Sequence, residues 1–165
     1  MSKYIPLSKP FITSIEKNFA KNAIDSTWIS SRGTYITEFE NNFSKKFNFA
    51  HSVSVSNGTV AIELALNALS IGPGDEVIIP NLTFAATINA VINVGATAVV
   101  VDVEEDSPTI CPLEIVKSIT TRTKAVICVN LLGLNCNLQK IKKICNQFNL
   151  FLIEDCAESL GSSIG

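Results

Sequence analysis

The run Ala98-Val99-Val100-Val101 has no polar residue on either face. A half-exposed antiparallel strand alternates polar and apolar residues, whereas a parallel strand covered by helices on both sides is apolar throughout. From His51 onward such short β-rich runs alternate with segments of helical spacing. Strands are expected over Ser52 to Val55, Glu76 to Ile79, Ala98 to Val103, Ala125 to Asn130 and Phe151 to Glu154. Helices are expected over Thr59 to Ser70, Ala85 to Val94, Pro112 to Thr120 and Leu138 to Phe148, the last with Leu138, Ile141, Cys145 and Phe148 on one face. Gly72-Pro73-Gly74-Asp75 and Gly95-Ala96-Thr97 are the turns that end a helix and launch a strand. The alternation predicts an α/β architecture, a largely parallel sheet flanked by helices.

Ahead of that region, Thr13 and Glu16 stand at capping-box spacing, and Ile15, Phe19 and Ala23 repeat at helical intervals up to about Asp25. A polar loop, Trp28-Ile29-Ser30-Ser31-Arg32-Gly33, then leads into Tyr35, Phe39, Phe43 and Phe47. This i, i+4 aromatic stripe reads as a helix packing against the body of the domain. With 165 residues, 47% of them hydrophobic, the chain amounts to one domain with a core. A net charge of -2 supplies no basic surface for nucleic acid. The five cysteines form no C-x-x-C pair and fall mostly in apolar runs, so neither a zinc site nor a disulfide framework is expected and reduced, cytoplasmic thiols are. No apolar run is long enough to span a bilayer, and no signal pattern opens the chain. His51, the one histidine, reads as a surface or strand-end residue.

In open parallel sheets, ligands bind beyond the carboxyl ends of the strands. Three features fall there. Ser56-Asn57-Gly58-Thr59 turns the first expected strand into a helix, whose opening N–H groups lack partners and carry the positive end of the helix dipole. Gly58 permits close backbone approach and Thr59 adds a hydroxyl, a combination suited to a phosphate. At the second strand end, Phe84 offers an aromatic plate. At the last, the apolar strand closes on Asp155. A phosphate cradle, a plate and an acid fit a flat, phosphorylated, protonatable aromatic cofactor, and pyridoxal phosphate has that chemistry. Asp155 would pair with its ring nitrogen, Phe84 would stack on the ring, and Thr59 with the amides around Gly58 would hold the phosphate.

The segments 56–66, 72–91, 95–103, 122–127 and 153–162, beginning S-N-G-T, G-P-G-D-E-V-I, G-A-T, R-T-K-A-V-I and I-E-D-C-A-E-S, resemble the DegT/DnrJ/EryC1/StrS family of sugar aminotransferases. The resemblance runs from Pro6 to the last residue. It implies the N-terminal portion, residues 1–165, of the large cofactor-binding domain of a fold-type I pyridoxal-phosphate enzyme, incomplete relative to the family fold. It further implies transfer of an amino group from L-glutamate to a nucleotide-linked keto-deoxy sugar in glycan synthesis, and a homodimer when full length. Carried over by position, Gly58 and Thr59 match the phosphate-binding positions, with Asn57 beside them in the cofactor site, Phe84 the ring-stacking aromatic and Asp155 the ring-nitrogen partner. Glu158 falls where many members carry Gln, facing the cofactor's phenolate oxygen. A second anion there would be protonated or turned elsewhere. Trp28, Ser30 and Arg32 belong to a W-I-S-S-x-G loop that resembles members aminating the 4-position of 6-deoxy sugars, which makes them substrate candidates.

The family's Schiff-base lysine lies on a later segment, and no lysine follows Asp155. The 165 residues are therefore expected to bind pyridoxal phosphate weakly and to catalyse no amination by themselves. The alternative is a truncated, inactive family member serving as a binding or partner protein. A nicotinamide-binding fold would share the strand and helix alternation, but its G-x-G-x-x-G turn is absent.

Overall fold

The computed structural model describes residues 4–6 and 9–163. Leu7, Ser8, Ile164 and Gly165, which the family resemblance also covers, lie outside them. The chain divides into two compact units, residues 1–54 and 55–165.

The N-terminal unit holds α1 (Ser14–Asp25) and α2 (Thr34–Phe47). The capping box forms as the spacing predicts. Thr13 is the N-cap, its hydroxyl accepts the Ile15 N–H at 3.1 Å, and Glu16 Oε2 accepts the Thr13 N–H at 2.6 Å. Neither helix contains a fully buried residue. Within this unit the aromatic stripe packs on itself and its neighbours: Phe43 lies 4.6 Å from Phe47 and 6.2 Å from Phe49, while Tyr35 meets Phe19 of α1 edge-on at 5.7 Å.

The expected strand from Ser52 to Val55 does not form. Strand-prone residues make a strand only where a neighbouring strand pairs with their backbone, and here the Ser54 N–H goes to a side chain of α2 instead. Glu40 Oε1 accepts both the N–H and the hydroxyl of Ser54, at 2.8 and 2.9 Å, and the Ser44 and Ser52 hydroxyls meet at 2.7 Å. His51 is exposed.

The C-terminal unit is a parallel four-stranded sheet between two helical layers. Its elements are α3 (Gly58–Ala68), β1 (Glu76–Pro80), α4 (Ala85–Asn93), β2 (Thr97–Val101), α5 (Pro112–Ser118), β3 (Thr123–Val129), α6 (Leu138–Phe148) and β4 (Phe151–Asp155). The strand order is β2-β1-β3-β4, every pair parallel. From β1 the chain moves outward to β2, crosses back to β3 and continues to β4. Right-handed crossovers then put α4 on one face, and α5 and α6 on the other. The core follows that division, with side chains alternating along the strands. Val77, Ile79, Ala125 and Ile127 face α3 and α4 with Leu66, Ala90 and Val91, whereas Ile78, Val126 and Cys128 face α5 and α6 with Ile115, Ile141 and Cys145.

Two expectations about the strand from Ala98 to Val103, observed as β2, need correction. It ends at Val101, because Val103 turns away to bridge Ile110 in antiparallel fashion. It is also the sheet edge, and Val100 is half exposed, so apolar residues on both faces did not bring cover on both. The central strand β1 is buried at all five residues, as a covered parallel strand should be. The helix between them stops at Gly95, whose φ of +81° favours glycine, and the N–H of Ala96 closes back on the Val91 carbonyl at 3.1 Å.

Glu76 opens β1 with 4% of its surface exposed. Its carboxylate accepts from Thr120 Oγ1 at 2.5 Å and from Arg122 Nε and Nη2 at 2.9 and 2.5 Å. The Thr120 hydroxyl and then the Arg122 guanidinium hold this carboxyl below the ordinary carboxylate range, against the opposing effect of burial. A depressed folded-state pKa contributes stability that is complete above the unfolded value of about 4.3 and is lost as pH falls through the folded value. Glu76→Gln is therefore expected to lower stability at pH 7 and to flatten its decline below about pH 4.3. Urea midpoints from pH 7 to pH 3 test this; parallel curves for the two proteins would remove Glu76 from the acid response.

Candidate active site

The strand order reverses between β1 and β3, and beyond the carboxyl ends of such a sheet a crevice opens. A cavity of about 280 Å³ lies at those ends, lined by Asn57, Gly58, Thr59, Phe84, Asp155 and Glu158, together with Ala86, Val129, Leu131 and Ala157. All six cofactor-site residues expected from the sequence are thus in one cleft.

Each arrives by a separate local rule. Asn57 is the N-cap of α3, and its Oδ1 accepts the Val60 N–H at 3.0 Å, while its carbonyl takes the Ala61 N–H at 3.1 Å. The N–H groups of Gly58 and Thr59, the first two of the helix, are beyond the reach of any intrahelical acceptor. A Cβ placed on Gly58 would meet open space, with nothing inside 4 Å. Phe84 is the N-cap of α4, where its extended backbone directs the chain off β1, and 75% of it is exposed. So large an aromatic surface left open at a cavity wall is suited to a planar ligand.

Asp155 closes β4, opposite Val129 of β3, and its carbonyl accepts the Asn130 N–H at 3.0 Å. Its Oδ1 accepts the Ala157 N–H at 3.1 Å and its Oδ2 the Thr87 hydroxyl at 3.4 Å. Glu158 Oε2 accepts the N–H of Leu132 at 2.9 Å. The carboxylate is thereby engaged with the loop after β3, whose Leu132 and Gly133 both have positive φ. The lining carries two carboxylates and no basic side chain. A ligand bound here would have to place its anionic group at the neutral donors and dipole of α3, and a hydrogen-bond donor near Asp155.

The substrate candidates Trp28, Ser30 and Arg32 line a groove of the N-terminal unit with Tyr35 and are not among the residues of this cleft. The Trp28 indole N–H donates to the Arg32 carbonyl, and a Cβ on Gly33 would collide with the indole, so the loop folds back against one edge of a tryptophan that stays mostly exposed. Sequence reasoning missed Thr87. Its signal was a hydroxyl in step with Ala90 and Val91 on the buried face of α4.

All five cysteines are free thiols, and Cys128, Cys136 and Cys145 are buried. No group of His, Cys, Asp or Glu that could hold a metal ion occurs among the described residues, and no helix among them is long and apolar enough to cross a membrane.

A family model described as the DegT/DnrJ/EryC1/StrS aminotransferase family matches residues 10–165. The chain is 46% identical to the GDP-perosamine synthase of Escherichia coli O157:H7 and 39% identical to that of Vibrio cholerae, each over 160 residues, covering 97% of this chain and 44% of the relative. It thus spans less than half the length of these curated relatives. Among solved structures it resembles the aminotransferase from Psychrobacter cryohalolentis, with a TM-score of 0.87, 37% identity and coverage of 94% of this chain and 40% of that one. It also resembles NtdA from Bacillus subtilis with bound cofactor PMP, with a TM-score of 0.85, 35% identity and coverage of 91% and 35%.

Proposed function

Because this chain belongs to the DegT/DnrJ/EryC1/StrS aminotransferase family, we propose that its cleft binds pyridoxal phosphate and that the residues here form the cofactor-binding portion of a sugar aminotransferase. The observation that carries this reading is the convergence of Gly58 and Thr59, Phe84 and Asp155 on one cavity. In it the N–H groups of Gly58 and Thr59, with the Thr59 hydroxyl and the Asn57 cap behind them, hold the phosphate. Phe84 covers a ring face and excludes water from it. Asp155 accepts the ring N–H and keeps that proton in place. Bound pyridoxal phosphate supplies an electron-withdrawing protonated ring that eases loss of the proton from the amino donor's α-carbon. Glu158 borders the cofactor while its Oε2 holds the Leu132 amide.

The donor is L-glutamate and the acceptor a nucleotide-linked keto-deoxy sugar, the reading supported by relatives named for GDP-perosamine synthesis. Trp28, Ser30 and Arg32 contact that sugar nucleotide. The enzyme works in the cytoplasm as a homodimer and feeds glycan synthesis. The 165 residues, which contain no lysine after Asp155, bind the cofactor weakly and by themselves do not turn over, for want of the Schiff-base amine.

Titrating pyridoxal phosphate into the protein and following its absorbance tests the site. Gly58→Ala is expected to weaken binding by crowding the phosphate, yet to leave stability unchanged or raise it by up to about 1 kcal/mol, since the new methyl meets no protein atom. Equal binding by wild type and Gly58→Ala would move the phosphate elsewhere. Glutamate-dependent amination of a GDP-linked keto-deoxy sugar by these 165 residues alone would overturn the predicted inactivity.

A further inference from the structure

Thr87 is a polar side chain with none of its surface exposed, in the first turn of α4. Its Oγ1 has two partners, Asp155 Oδ2 at 3.4 Å and Thr83 Oγ1 at 2.9 Å. A hydroxyl carries one proton, and a carboxylate oxygen can only accept. When the Thr87 proton goes to Asp155, Thr83 is the donor to Thr87. The chain of hydroxyls then runs one way, from Thr83 through Thr87 to Asp155. The other carboxylate oxygen is held by the Ala157 N–H at 3.1 Å. Two donors from different elements, the Ala157 N–H and the longer contact from Thr87, thus favour one rotation of the carboxylate about its Cβ–Cγ bond.

We infer that Thr87, backed by Thr83, is a positioning residue for Asp155, presenting the carboxylate's remaining lone pairs to the ring N–H of the cofactor. This rests on the reading of the cleft given above. A carboxylate oriented before the ligand arrives loses less freedom on binding than one that must be ordered by it. Thr87 serves this end through Asp155 and need not touch the cofactor.

The test uses pyridoxamine phosphate as the probe. Its affinity and the pKa of its ring nitrogen when bound are read from absorbance across pH, in wild type, Thr87→Val, Thr87→Ser and Asp155→Asn. Valine keeps the volume and removes the hydroxyl; serine keeps the hydroxyl and removes the methyl. A hydrogen bond to a charged group is worth roughly tenfold or more, and the 3.4 Å separation sets the expectation at the low end. Thr87→Val should bind roughly tenfold more weakly and release the ring proton roughly one pH unit lower. Thr87→Ser should behave as wild type, and Asp155→Asn should show the larger loss in both readouts.

If Asp155→Asn is impaired while Thr87→Val matches wild type, or while Ser and Val variants are equally impaired, the positioning role is overturned and the cofactor site stands. If the wild type shows no saturable binding, or Asp155→Asn binds as wild type, the cofactor reading itself fails and takes the inference with it. Should the valine variant not fold, Thr87→Ala against Thr87→Ser makes the same comparison.

Discussion

Asp155→Ala is expected to weaken pyridoxal phosphate binding by about 10- to 150-fold, the equivalent of a hydrogen bond to a charged partner worth about 1.5–3 kcal/mol. Glu158 also lines the cleft, but its Oε2 is engaged by the Leu132 amide, so it does not replace the lost partner. Asp155→Asn separates charge from shape. The amide oxygen can still accept the ring N–H but no longer favours the protonated ring. In an active aminotransferase carrying this cleft, the proposed function, either variant should reduce turnover by about 100-fold or more, the scale of losing one preorganised electrostatic partner. Equilibrium titration with a far-UV circular dichroism control decides the binding half, and wild-type affinity in Asp155→Ala would dislodge Asp155 from its assigned role.

The largest effect on stability is expected at Ile127, in the middle of β3 between β1 and β4. Its side chain is fully buried and packs with Val77, Ile79 and Ala125 against the α3 and α4 layer. Ile127→Ala removes three carbons from a site walled by strands on both sides, where neighbours can relax little, and should cost about 3–4 kcal/mol. That is a large share of the roughly 5–15 kcal/mol that holds a domain folded. Ile92, mostly exposed on α4, is the control, and Ile92→Ala should stay within about 0.5 kcal/mol of wild type. Urea denaturation with unchanged slope for both variants would measure the contrast. A loss below about 1 kcal/mol at Ile127 would mean that the two-layer core is looser than its burial indicates.

Local rules carried the reading of the sequence furthest. Thr13 and Glu16 cap α1 as their spacing predicts, Asn57 caps α3, and Leu138 to Phe148 matches α6 at both ends. The convergence of the candidate residues on one cleft was legible for a related reason, since in a parallel sheet every strand's carboxyl end is delivered to one edge. What remained hidden depends on distant partners. Ser52 to Val55 has strand-forming residues, yet the Ser54 amide is taken by Glu40 across 14 residues of chain. Val100 is apolar but lies on an edge strand, and strand order is not written in periodicity. The Thr87 to Asp155 bond joins residues 68 apart. The left-handed backbone of Leu132 has no local signal, because leucine rarely adopts it.

The walls of the cleft come from the start of α3, the start of α4, the end of β3 and the turn after β4, nearly the whole span of the C-terminal unit. Chains emerge from the ribosome amino end first. A nascent chain therefore completes the turn at Gly58 long before it possesses Asp155. A ligand that needs both cannot engage a half-made sheet, and its binding energy goes only to chains in which β4 has docked. Cofactor supply would then act as quality control. If pyridoxal phosphate is that ligand, copies made when it is scarce would linger with β4 unsecured and be degraded sooner, so the amount of this protein would track the cofactor even where its synthesis did not change.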